Sequence, residues 1–101
     1  MKKLLLTADY KTTGLREFGG DWLNPQSFDL PKEVWEELQY WVDSYQLVMP
    51  LDVSKRNAIK DQITILDQEG LKIAGKISCL KKNCIVQYYS EGLLSYMDLP
   101  K

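Results

Sequence analysis

The residues from Ser54 to Lys82 set the terms for everything else this chain can fold into. Their apolar positions Ile59, Ile63, Leu66, Gly70, Ile73, Ile77 and Leu80 advance in steps of 4, 3, 4, 3, 4 and 3. That alternation returns each position to one stripe of an α-helix, whose turn takes about 3.6 residues. Leu71 and Ala74 widen the stripe, whereas Lys55, Lys60, Lys72, Lys76 and Lys81 fall largely outside it. The β-branched run Ile63-Thr64-Ile65 allows a second reading, a strand over 62–66 ended by Asp67-Gln68-Glu69-Gly70. The phase passes through Gly70 unbroken, so one long helix is expected, although Gly70 and Gly75 each cost about 1 kcal/mol against alanine. Ser54, or Asp52 one turn earlier, is its N-cap, and Asn83 suits the left-handed position after its end.

A second helix opens at Leu30-Pro31, since a residue before proline avoids the α region and proline suits a first turn. Val34, Leu38, Trp41 and Tyr45, widened by Trp35 and Val42, repeat at helical spacing as far as Gln46. Lys2 to Ala8 reads as a strand whose leucines are too continuous to show alternation, as in a strand covered on both faces or one central in a sheet. Residues 9–29 then form a long loop carrying Gly14, Gly19, Gly20 and Pro25, with Tyr10, Phe18, Trp22 and Phe28 as rings that pin it or present it. Ile85 to Tyr89 is a strand, Ser90-Glu91-Gly92 a turn whose glycine can take positive φ, and Leu93 to Met97 the returning strand; Leu99-Pro100-Lys101 is a loose end. The expected architecture is α+β: a small sheet of about three strands, in the order β-α-α-β-β, packed against an antiparallel pair of helices as one domain spanning 1–101.

Chemistry is excluded more readily than it is found. The chain holds no histidine, so serine-histidine and cysteine-histidine nucleophiles are ruled out and the usual neutral-pH acid-base group is missing. Gly19-Gly20 has neither a following helix nor the Gly-Lys-Ser ending of a phosphate cradle. Cys79 and Cys84 are two thiolates at most, half of a tetrahedral zinc site; they read as reduced thiols of a cytosolic protein, with a disulfide that caps the helix end as the alternative. No catalytic activity, metal or cofactor is expected. Met1-Lys2-Lys3 before three leucines imitates a signal peptide, but Thr7-Ala8-Asp9 ends the apolar run too early for export or membrane insertion, which makes the expected compartment the cytoplasm.

Charge gives a positive clue. The net charge of −1 conceals a segment, 21–52, that carries seven acidic and one basic residue, next to a segment, 53–82, with seven basic and three acidic ones. One face of the shorter helix gathers Glu33, Glu37, Tyr40 and Ser44, bordered by Glu36 and Asp43. With Asp21 and Trp22 from the preceding loop, Glu33, Glu36, Glu37, Tyr40 and Asp43 make a candidate protein-binding surface, an aromatic anchor within charge that steers a basic partner. The competing expectation is a small nucleic-acid-binding regulator that uses the basic helix 55–82.

Several stretches also look familiar together. Leu4-Leu5-Leu6-Thr7-Ala8-Asp9-Tyr10 precedes a glycine-punctuated loop, and Leu30-Pro31-Lys32-Glu33 opens a helix with Leu38, Trp41 and Tyr45. Leu66, Asp67, Glu69-Gly70-Leu71, Ile73-Ala74 and Ile77 follow, then Val86-Gln87-Tyr88-Tyr89. Across residues 4–90 this resembles small bacterial immunity proteins, including those of contact-dependent growth inhibition systems. The resemblance implies a cytosolic protein that binds and neutralises the toxic C-terminal domain of a polymorphic toxin, commonly a nuclease, by covering a basic cleft. No single functional motif is matched, so no family binding residue is carried over.

Overall fold

The computed structural model describes residues 1–99. Its elements are β1 (Lys2–Leu6), β2 (Leu15–Glu17), α1 (Lys32–Tyr45), α2 (Val53–Ala58), α3 (Lys60–Leu80), β3 (Cys84–Ser90) and β4 (Ser95–Met97). The fold is α+β, with a four-stranded mixed sheet in the order β2-β1-β3-β4. β1 and β3 run parallel at its centre, with Leu4 opposite Val86 and Leu6 opposite Tyr88. β2 and β4 are antiparallel edges. The expected junction of the first strand with a C-terminal hairpin is therefore present, and Pro100 and Lys101 of the expected loose end lie outside the described residues.

Side-chain alternation fixes which face meets the helices. Leu4, Leu6, Val86 and Tyr88 are buried on one side; Lys3 and Ile85 are exposed on the other, with Leu5, Gln87 and Tyr89 between these extremes. Of the two expected settings for the β1 leucines the structure has the second: the strand is central in the sheet and is covered by helices on one face only. α1 buries Val34, Leu38, Trp41, Val42 and Tyr45, as its spacing requires. It runs antiparallel to α3: Glu37 reaches Lys76, the Trp41 indole N–H donates to the Leu66 carbonyl at 2.8 Å, and Tyr45 meets Asp67. At Gly70 the two helices and the sheet approach one another closely. A Cβ there would overlap the Tyr88 ring and lie 2.8 Å from Trp41, so the glycine serves packing.

Three expectations need correction. The sheet has four strands rather than three, because Leu15-Arg16-Glu17 pairs with β1 inside the stretch read as a loop. Three residues between Gly14 and Gly19 are too short to show a period. The helices number three rather than two, since the long helix breaks at Ile59, where φ is −117° and ψ 30°. Asp52 caps α2 by accepting the Lys55 N–H at 2.9 Å, and Arg56 ties it down through the carbonyls of Met49, Leu51 and Glu91. α2 thus follows its anchors and α3 follows the core; Ile59 takes up the difference in direction. Finally, the residue with positive φ in the β3–β4 turn is Leu94, at 55°. Gly92 is needed for closeness, since a Cβ would fall 2.6 Å from Ile63 and 2.7 Å from the Tyr45 hydroxyl.

Candidate functional site

Two tyrosine-carboxylate groups sit on the α1–α3 pair, one inside and one outside. The inner group centres on Asp67, 1% exposed in the seam of α3. Its Oδ1 accepts hydrogen bonds from the hydroxyls of Tyr88, at 2.6 Å, and Tyr45, at 2.9 Å; its Oδ2 accepts from Ser90 at 2.7 Å. The Gly92 N–H closes the set by donating to the Tyr45 oxygen at 2.8 Å. Burial foremost, helped by the hydrogen bond to Asp67 and the charge of that carboxylate, raises the Tyr88 phenol far above its ordinary value of 10.0. Burial likewise raises that of Tyr45, partly opposed by its bond to Ser90. All four side chains are sealed from solvent, so the cluster fastens α1, α3 and β3 together and offers a substrate no way in.

Sequence reasoning missed this cluster, since Asp67 was weighed as a charge of the basic segment and as a possible strand end, never as a core residue. Its signal lay in the helical phase: Asp67 falls four residues after Ile63 and three before Gly70, squarely on the buried stripe.

The outer group occupies the opposite faces of the same helices. Tyr40 is 74% exposed at the middle of the outward face of α1. It stands over a half-open groove of about 290 Å³ that Glu37, Trp41, Glu69, Lys72 and Ile73 also line. Glu33, Glu36 and Asp43 are exposed beside it. These charges are not all free: Glu37 meets Lys76 at 2.8 Å, Glu36 meets Lys32 at 3.6 Å, and Asp43 accepts from the Gln39 amide at 2.9 Å. Exposed pairs of this kind contribute about 0–1 kcal/mol, so a partner can displace them at little cost.

The remaining two predicted residues lie in the other layer. Trp22 bridges to Arg16 along the β2 edge, with the guanidinium 5.1 Å from its ring, and the Asp21 carbonyl accepts from the Glu17 N–H at 3.1 Å. Five predicted residues therefore share one face of α1, while Asp21 and Trp22 belong to the sheet edge. The basic helix is likewise partly engaged. Arg56 faces inward, Lys76 holds Glu37, and Lys81 lies 3.9 Å from Asp29 and 5.2 Å from the Phe28 ring.

Among the described residues, no three His, Cys, Asp or Glu side chains converge as a metal-ligand set, and both Cys79, exposed, and Cys84, buried, are free thiols. Among the described residues no helix is long and apolar enough to cross a membrane. Fold and site together describe an α+β sheet-and-helix domain with a sealed polar tie and an open acidic, tyrosine-bearing helix face. No protein-family model matches this chain, and no curated protein or solved structure matches it.

Proposed function

We propose that this protein is an immunity-type inhibitor, which acts in the bacterial cytoplasm and binds a cognate toxin domain so as to cover a basic active-site cleft, most simply that of a nuclease. The reading rests first on Tyr40. A large ring that is 74% exposed, rooted beside a groove and surrounded by Glu33, Glu36, Glu37 and Asp43, has the make-up of an interface anchor. A nuclease cleft is basic because it holds phosphates, and an acidic helix both steers toward it and occupies it. The sequence resemblance is what suggests a toxin as the partner, and the exposed acidic face of α1 is what supports the choice of surface.

The direct test is growth rescue in cells that produce the C-terminal domain of the toxin encoded beside this gene. Co-production of the wild-type chain restores growth, and the Glu33→Lys, Asp43→Lys double variant loses that protection while retaining its native circular dichroism. Undiminished protection by the charge-reversed chain would remove the α1 face from the proposal, and absence of protection by the wild type would remove the proposal itself.

A further inference from the structure

The face of the sheet turned away from the helices is unusually apolar for a surface open to solvent. Phe18, Ile85 and Tyr96 are 42%, 51% and 52% exposed there. The rings are already gathered: Phe18 lies 6.4 Å from Tyr96, and Tyr96 packs edge-on against Tyr89 at 4.9 Å. In the middle sits Gln87, whose Oε1 is buried and accepts no hydrogen bond from any described residue. A sheet face finished for water alternates outward polar residues; this one lacks its cover.

We infer that the cover is a second copy of the same chain, packed sheet to sheet about a two-fold axis. Charge favours this occupant over a strongly charged partner. The face carries both signs, Lys3 and Arg16 against Asp98, whereas the outward face of α1 is acidic and would repel its own copy. Lys3 and Asp98 lie on opposite sides of β3, toward β1 and β4 respectively, and border the same hollow of about 290 Å³ together with Ile85 and Gln87. A two-fold axis in the interface along β3 carries the β1 side of one copy over the β4 side of the other. Lys3 of each chain then meets Asp98 of its copy, and the two Gln87 side chains face each other across the axis. Isologous contacts of this kind close after two subunits. Four strands about 4.8 Å apart, the longest of seven residues rising about 3.3 Å each, make a plane of at most roughly 19 by 23 Å, since both edge strands are shorter. That is below the roughly 800 Å² per partner of a standard interface, so the dimer is a weak one. The α1 face remains free in it, which leaves the proposed inhibitor role unaffected by whether the dimer exists.

Sedimentation equilibrium of the full chain over about 1–500 µM, the range suited to a micromolar dissociation constant, tests this. The average mass should climb from 11.7 kDa toward twice that value. Tyr96→Lys should hold the chain at the monomer mass with unchanged circular dichroism. Lys3→Glu and Asp98→Lys should each weaken association by about tenfold, and the two together should recover most of that loss, as a reciprocal pair requires. A monomer at every concentration, whatever else binds the face, overturns the inference. So does a dimer indifferent to Tyr96→Lys, or a double charge reversal no better than its parents.

Discussion

The same two helices carry the same chemistry twice, facing opposite ways. Tyr45 of α1 meets Asp67 of α3 in the core; Tyr40 of α1 shares an outer groove with Glu69 of α3. The inner carboxylate gathers three hydroxyl donors and is closed to water, whereas the outer one stands exposed beside a ring that is three-quarters free. Hydration explains the division. A buried carboxylate is tolerable only when its lone pairs are satisfied, so the inner cluster is fixed in geometry and costly to disturb. The outer group exchanges its partners with water almost freely, which makes it a poor strut and a good place to bind.

The sharpest way to break this distinction is to empty its inner half. Asp67→Ala leaves the hydroxyls of Tyr45, Tyr88 and Ser90 without their acceptor inside the core, and should cost about 3 kcal/mol, with single unsatisfied groups running at 1–3. For a domain of this size that lowers the thermal midpoint by roughly 15 °C, as read by calorimetry. Asp67→Asn keeps one acceptor and should lose distinctly less. A midpoint within a few degrees of wild type for Asp67→Ala would mean that the cluster is filler rather than fastening.

Alkali probes the same cluster without a mutation. The folded phenols of Tyr45 and Tyr88 are raised above the unfolded value of 10.0, so the unfolded chain gives up their protons first. Their contribution to stability is complete below pH 10 and declines as pH rises beyond it, because the unfolded state then binds fewer protons. Phenolate absorbance should accordingly show a portion that appears only together with unfolding, and that portion should shrink in Tyr88→Phe. Smooth ionisation of all phenols ahead of any loss of circular dichroism would contradict the sealed geometry.

How much of this was visible beforehand depended on length and on burial. α1 was readable from end to end because Val34, Leu38, Trp41 and Tyr45 repeat over enough turns to fix its inner face, and its outer face followed by subtraction. The stripe of α3 was readable for the same reason through Ile63, Gly70, Ile73 and Ile77. Its break at Ile59 was not, because Arg56 ties α2 to the carbonyl of Glu91, a contact distant in sequence, as well as to that of nearby Met49. β2 was too brief to carry a pattern. The candidate site was half legible: Glu33, Glu36, Glu37, Tyr40 and Asp43 do share a face, but the Lys76 that answers Glu37 comes from another helix. Trp22 was placed with them by nearness along the chain, whereas strand pairing puts it on the sheet edge beside Arg16.

The smallest expected effect is the one that sharpens the contrast most. Tyr40→Ala removes a ring that touches mainly solvent, so it should shift folding stability by no more than about 0.5 kcal/mol, the ordinary range for surface substitutions. Its backbone carbonyl, which accepts from the Ser44 hydroxyl at 2.9 Å, survives the change. Tyr45→Phe, five residues along the same helix, loses a hydroxyl bonded to Asp67 and Gly92 and should cost about 1–3 kcal/mol. Denaturant titration of the two variants beside wild type reads that difference as a change in midpoint at constant slope. If Tyr40 serves a partner, its variant should be indistinguishable from wild type in that titration and deficient in protecting cells. A loss of stability comparable to that of Tyr45→Phe would show instead that the outer ring supports the fold, and the division between the two faces of α1 would collapse.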